Sequence, residues 1–328
     1  MMKSDWELGH VGLVVRDWND ALGYYQSTGM GISVGPQVVN LDFQSGGPSK
    51  FFLNDKVPRI SGGSGPGTLA ASKPKRGKES KPNTYKFMDK DCQVGSLLLE
   101  ILQDRSIPYE GITHLCFNVP DVDSETARLL EKGCEMVLSF TQGKKVCENY
   151  IDTREFGHVI VSFRPPVEKW EKAWTAHNLA HPLLSGWKFH GFGIAVRDID
   201  KAVEYYESLD IAAFEAEAML DSSSLENVES MGKTVKARTR TAQVGPVAFE
   251  FAQPVEGDAI YGESLECRGE GISDMSFTVD DLEEETASLV RKGVPVVLRG
   301  KPQSGPEFAY FDTREFSGNI MVRLMQNA

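Results

Sequence analysis

Three side chains in this sequence are of types and settings that could do chemistry. Glu100 sits inside Leu97-Leu98-Leu99-Glu100-Ile101-Leu102, a run too short for a helix. An ionised carboxylate in an apolar strand is costly unless it is paired or binds a cation, so Glu100 requires a partner. Alternation along a strand puts His10 on the face of Gly12 and Val14, and His114 on the face of Cys116 and Asn118. Two imidazoles and one carboxylate, brought together, make a donor set for a divalent ion, with positions left open for water or substrate. A single histidine at a strand start is ordinarily structural, so the elements that would assemble the three decide between the two roles.

Those elements are written more than once. Gly12-Leu13-Val14-Val15-Arg16-Asp17 returns as Gly193-Ile194-Ala195-Val196-Arg197-Asp198. Tyr150-Ile151-Asp152-Thr153-Arg154-Glu155-Phe156 returns as Tyr310-Phe311-Asp312-Thr313-Arg314-Glu315-Phe316. Between these markers, Gln93-Val94-Gly95 ahead of Glu100 matches Gln243-Val244-Gly245 ahead of Glu250, and Gly111-Ile112 ahead of His114 matches Gly271-Ile272 ahead of Asp274. Four anchors in one order mark a duplicated chain. Each half divides again, because a strand followed by an amphipathic helix occurs twice in it. Trp18, Ala21, Leu22 and Tyr25, like Ile199, Ala202, Val203 and Tyr206, have the spacing of a buried helical face. Val122, Thr126, Leu129 and Leu130, and Leu282, Thr286, Leu289 and Val290, predict two more such faces, ended by Gly133 and Gly293. Strands fill the remainder, which predicts an α+β fold of four β-α-β-β-β units.

Two stretches lie outside the units. Residues 61–83, from Ser61 to Asn83, form an insertion without a partner in the second half, either a disordered surface loop or a lid over a pocket. Pro165 to Trp187 carries Trp170, Trp174 and Leu179 and reads as a helical linker. The predicted organisation is a first domain over 1–165, a linker over 166–187 and a second domain over 188–328.

The segment His10-Val11-Gly12-Leu13-Val14-Val15-Arg16-Asp17 resembles the opening strand of the vicinal-oxygen-chelate superfamily, and Asp152-Thr153-Arg154 with Gly157-His158 resembles the closing hairpin of its epimerase-like branch. That superfamily includes glyoxalase I, methylmalonyl-CoA epimerase, extradiol dioxygenases and bleomycin-resistance proteins. The resemblance covers nearly the whole chain and implies that two modules close into one cup-shaped barrel around a metal, giving two tandem cups. It also implies ligands from the first and last strands of each module. Carried over, these are His10, Glu100 and His114 in the first cup, with the fourth position at Val161 and its carboxylate missing. In the second cup the positions read Gly191, Glu250, Asp274 and Met321 or Val322, which predicts a metal-free cup with Glu250 paired to Arg238 or Arg240. His190, offset by one from Gly191, is expected on the opposite face. His158 and Glu148 have Gly318 and Phe308 at the corresponding places and are candidates for substrate contact or proton transfer. The Asp-Thr-Arg-Glu-Phe segment stands in both halves and is expected to be a hydrogen-bonded hairpin turn.

The resemblance implies a divalent ion (Zn, Mn, Co, Ni or Fe) and a lyase or isomerase/epimerase acting on a small oxygenated organic substrate through a metal-stabilised enolate in the first cup. Its alternatives are a ferrous ring-cleaving or 2-oxo-acid dioxygenase, and a non-catalytic small-molecule binding protein of the bleomycin-resistance kind. A ligand carboxylate in module one, at Glu100, favours the glyoxalase and epimerase-like branch. The net charge of −12 repels phosphate backbones and anionic headgroups, so neither nucleic acid nor membrane is an expected partner. Five cysteines without a CxxC pair point to a reducing compartment, and the start lacks the apolar run of a secretory signal. A cytoplasmic monomer or homodimer is the resulting expectation.

Overall fold

The computed structural model describes residues 5–43, 84–103, 110–142, 145–157, 159–166 and 186–326; the insertion 61–83 and residues 167–185 of the linker lie outside the described residues. The first half runs β1 (Glu7–Val14), α1 (Trp18–Thr28), β2 (Gly31–Phe43), β3 (Thr84–Val94) and β4 (Leu97–Leu102). It repeats as β5 (Gly111–Asn118), α2 (Val122–Glu131), β6 (Glu135–Gln142), β7 (Lys145–Asp152) and β8 (Ile160–Arg164). These strands close a barrel in the order β1-β4-β3-β2-β6-β7-β8-β5. Both helices start on an aspartate whose carboxylate accepts backbone N–H bonds: Asp17 from Asn19 and Asp20, Asp121 from Ser124.

The second half is β9 (Lys188–Ala195), α3 (Ile199–Ser208), β10 (Ala218–Asp221), β11 (Glu226–Ser230), β12 (Lys236–Val244) and β13 (Val247–Pro254), then α4 (Tyr261–Arg268). It ends in β14 (Gly271–Val279), α5 (Leu282–Arg291), β15 (Val296–Lys301), β16 (Phe308–Phe311) and β17 (Met321–Gln326). Its sheet order is β10-β12-β13-β9-β14-β17-β16-β15-β11. In the first half one strand, β2, pairs with both β3 and β6 and so closes the barrel. In the second half that strand is broken at a 3-10 turn, Ser222–Ser224, so β10 pairs with β12 while β11 pairs with β15. The architecture is α+β, four βαβββ modules forming two tandem cups.

Helices α1 and α3 bury the predicted faces, Ala21, Leu22 and Tyr25, and Ile199, Ala202, Val203 and Tyr206. Two predicted core positions are corrected: Leu130 is 38% exposed and Val290 50% exposed. Each stands about 40° around the helix from the threonine four residues before it, at the edge of the stripe, while Leu129 and Leu289 hold its centre. The repeated Asp-Thr-Arg segment is a locally bonded hairpin. Arg154 Nε and Nη2 donate to the Asp152 carboxylate, both at 2.8 Å, and Thr153 Oγ1 donates to Val159 O at 2.6 Å. Arg314, Asp312 and Thr313 repeat the pattern.

The halves exchange tryptophans across their contact. Trp6 packs on Phe117 and Phe163 of its own half and against Gly245 in the β12–β13 turn, where a Cβ would stand 3.0 Å from Trp6 Cβ. Trp187 packs on Phe277 and against Gly95 in the β3–β4 turn, where a Cβ would stand 2.7 Å from Trp187 Cβ. Both glycines have positive φ, 55° and 58°, so conformation and space both require them. One core cluster runs through both halves. Among the described residues no helix is long and apolar enough to cross a membrane.

Candidate metal centre in the first cup

Strand register brings the three predicted side chains together. In β1, Gly12 pairs with Glu100 on parallel β4 and with His114 on antiparallel β5, while His10 pairs with Cys116. Gly12 lies beneath the His114 ring, and a Cβ there would come within 2.0 Å of His114 Cε1. The two imidazole Nε2 atoms are 3.1 Å apart, and Glu100 Oε2 lies 3.5 Å from His10 Nε2 and 3.4 Å from His114 Nε2. Metal–nitrogen bonds of about 2.0–2.1 Å put adjacent ligand atoms about 2.9–3.4 Å apart, so the three donors are spaced to hold one ion.

Protonation fits that use. Thr113 Oγ1 donates its hydrogen to Gly12 O at 3.2 Å, which leaves the hydroxyl oxygen to accept from His114 Nδ1 at 3.1 Å. His114 Nε2 therefore presents its lone pair to the cup, held by an outer partner of the kind that orients metal ligands. Burial holds His114 down at about 4, with Glu148 opposing and Arg164 adding to the shift. Burial, then Arg164 and His114, holds His10 well below the usual histidine range. Both rings are neutral at pH 7, which is their ligand form.

The fourth position is corrected by the register. Cys116 pairs with Ser162, and Val161 is fully buried in the core. Ser162 therefore occupies the place on β8 that Glu100 occupies on β4. It carries no carboxylate but fastens one: Ser162 Oγ donates to Glu148 Oε1 at 2.6 Å. That Glu148 oxygen, delivered by neighbouring β7, is 3.8 Å from His10 Nε2. The sequence signal for it was the contrast with Phe308 at the corresponding place in the second half, whereas the closing strand alone does not reveal it. Cys116 completes a second group with His10 and Glu148, but burial and then Glu148 push its thiol well up, which keeps it protonated. His158 lies outside the described residues.

The close approach at Gly12 makes a direct test. Gly12→Ala forces the His114 ring aside and is expected to weaken zinc binding at least about ten-fold while circular dichroism stays unchanged. Gly23→Ala, on α1 with nothing within 4 Å of its Cβ, is the control that keeps full affinity.

The second cup is built on the same register with different side chains. Gly193 pairs with Glu250 and with Asp274, Gly191 pairs with Ser276, and Ser276 pairs with Arg323. Arg323, rather than Met321 or Val322, fills the closing-strand position. It also corrects the pairing of Glu250: Arg323 Nη1 donates to Glu250 Oε1 at 2.7 Å, and its Nε lies 3.4 Å from Asp274 Oδ1. Arg238 instead pairs with Asp200 and Glu217, and Arg240 Nε donates to Glu215 O, because both stand on β12 out of register with Glu250, whose partner is Thr241. Tyr261 from α4 donates to Glu250 Oε1 at 3.2 Å and lies 3.0 Å from Tyr310 OH, which accepts from Arg323 at 3.1 Å. A guanidinium thus neutralises the carboxylates where the first cup gathers metal donors. His190 is exposed.

Burial, opposed by Arg323 and aided by Glu250, raises the Asp274 carboxyl to about 6. A carboxyl that holds its proton more tightly folded than unfolded contributes stability below about pH 4 that is lost as pH rises through 6. Asp274→Asn is therefore expected to flatten the unfolding free energy between pH 4 and pH 6.5, read by urea titration at each pH. An unchanged slope contradicts this.

Comparison with known proteins bears on the whole chain. Residues 7–160 and residues 190–311 each match a family described as Glyoxalase/Bleomycin resistance protein/Dioxygenase superfamily. No curated protein sequence matches. Among solved structures, a variant of 4-hydroxymandelate synthase from Streptomyces coelicolor superposes with a TM-score of 0.61 at 15% identity, covering 99% of this chain and 93% of that one. Methylmalonyl-CoA epimerase from Mycobacterium tuberculosis, at 20% identity and a TM-score of 0.35, covers 44% of this chain and 89% of its own. With both halves matched and the fold shared end to end, the chain belongs to the glyoxalase/bleomycin resistance protein/dioxygenase superfamily, as two of its domains in tandem.

Proposed function

We propose that the first cup is the active site of a metal-dependent lyase or isomerase/epimerase acting on a small oxygenated organic substrate. The observation that carries this reading is the convergence of His10 Nε2, His114 Nε2 and Glu100 Oε2 within 3.5 Å of one another, with a second carboxylate at their edge. A divalent ion there would polarise neighbouring substrate oxygens and stabilise the negative charge that develops as an adjacent C–H proton leaves. His10, Glu100 and His114 would hold the ion. Glu148, fixed by Ser162, takes the C–H proton on its carboxylate, and the electron pair left behind moves toward the substrate oxygen. Return of the proton isomerises the substrate, and expulsion of a group beside the carbanion makes the reaction a lyase. Within this reading, residues 1–165 form the catalytic domain, 166–187 the linker and 188–328 a supporting domain.

A second reading, a ferrous dioxygenase, is favoured by the donor set itself, since two histidines and one carboxylate also suit iron with open positions. One experiment separates the two. The zinc- or manganese-loaded protein, incubated in D2O with 2-oxo and 2-hydroxy acids, is expected to exchange the C–H beside the chelating oxygen without consuming O2, and Glu148→Gln to abolish exchange. Stoichiometric O2 uptake by the ferrous protein, without exchange, selects the dioxygenase. Neither activity with any of these acids leaves the binding protein.

A further inference from the structure

Arg164 ends β8 two residues beyond Ser162, on the same face of the strand. Its register partner on β5 is Asn118, and Arg164 Nε donates to Asn118 Oδ1 at 2.7 Å. On β1, a Cβ at Gly9 would come within 2.9 Å of Arg164 Nη2, so the guanidinium lies over a strand kept bare for it. Among the described residues no carboxylate is within ion-pair distance of it. With one neutral acceptor among the described residues, a partly buried guanidinium has further N–H donors to offer a carboxylate, which arginine grips through two parallel bonds. Burial works against the charge, while the Glu148 and Glu100 carboxylates favour it. The fold itself does not demand a cation here. At the matching place in the second half, Met325 stands opposite Thr278.

We propose that Arg164 binds a carboxylate of the substrate, at the end of the molecule away from the oxygens that face His10, Glu100 and His114. Two residues of strand separate the Arg164 backbone from that of Ser162 by about 7 Å. The substrate class is then a small organic acid with chelating oxygens at one end and a carboxylate a few bonds away. This rests on the metal reading of the cup, and the test separates the two claims.

The probes are 2-oxoglutarate and 2-oxovalerate, which share a five-carbon chain and a 2-oxo-carboxylate head and differ in the distal carboxylate. Isothermal titration of each is performed on zinc-loaded and on metal-free protein, with zinc content measured separately. The expected result is at least about ten-fold tighter binding of 2-oxoglutarate, a ratio that falls to about one in Arg164→Met with zinc content and 2-oxovalerate affinity retained. Arg164→Lys keeps the charge and restores part of the ratio, which separates loss of the cation from misfolding. Equal affinities in the unaltered protein, including no binding of either acid, overturn the proposal, as does a ratio that survives Arg164→Met. Absence of zinc alone fails the metal reading, and the ratio on metal-free protein then still decides the role of Arg164.

Discussion

His114→Ala is expected to leave the purified protein without a bound ion, where the unaltered chain is expected to carry about one transition-metal ion. The side chain removed supplies one of three converging donors, and its Nε2 lies 3.1 Å from His10 Nε2 and 3.4 Å from Glu100 Oε2. Loss of an outer-shell partner alone costs about 10–100-fold in metal affinity. Removal of a ligand exceeds that, and His10→Ala does the same. Thr113→Val, which deletes only the acceptor for His114 Nδ1, falls in the smaller range. Elemental analysis after gel filtration reads all three. Zinc at 100 times its dissociation constant raises the stability of the unaltered protein by about 2.7 kcal/mol, a gain that both alanine variants lose. Full metal content in either alanine variant removes the triad from consideration.

The second large effect lies in the other cup. Arg323→Met strands the Glu250 and Asp274 carboxylates, which the guanidinium approaches at 2.7 Å and 3.4 Å. Removing one partner from a buried ion pair costs about 3–5 kcal/mol, because the buried Asp274 carboxylate is left without compensation. Urea denaturation measures it. Adding Glu250→Gln to Arg323→Met is expected to recover part of the loss, a coupling that a merely steric effect of methionine would not show. A cost below about 1 kcal/mol would mean that water or other groups already satisfy these carboxylates.

Much of this was legible in the residues. The duplication, the four helices of the modules and the strand positions of His10, Glu100 and His114 follow from spacing, because a 3.6-residue stripe and a two-residue alternation are local patterns. What the sequence hid was register. Whether Val161 or Ser162 faces the cup depends on the bonded hairpin from Asp152 to Val159, and a one-residue slip turns every side chain over. The same slip hid Arg323 behind Met321 and Val322. The partner of Glu250 was sought on β12, the preceding strand in sequence, whereas it arrives from β17, which reaches the cup through β14. Arg164 was silent for a related reason: an arginine at a strand end reads as a solvated terminus until Asn118 and Gly9 are seen beside it.

The exchange of tryptophans between turns sets an order of events on the ribosome. Trp6 is made before the first barrel, yet the Gly245 turn that covers it emerges long after that barrel's strands are complete. Gly95 likewise waits for Trp187. The first cup therefore leaves the exit tunnel with an aromatic side chain still open to water, and a ribosome stalled between residues 187 and 245 holds an unfinished surface for holdase chaperones to recognise. Only when the β12–β13 turn has been synthesised can both seams shut.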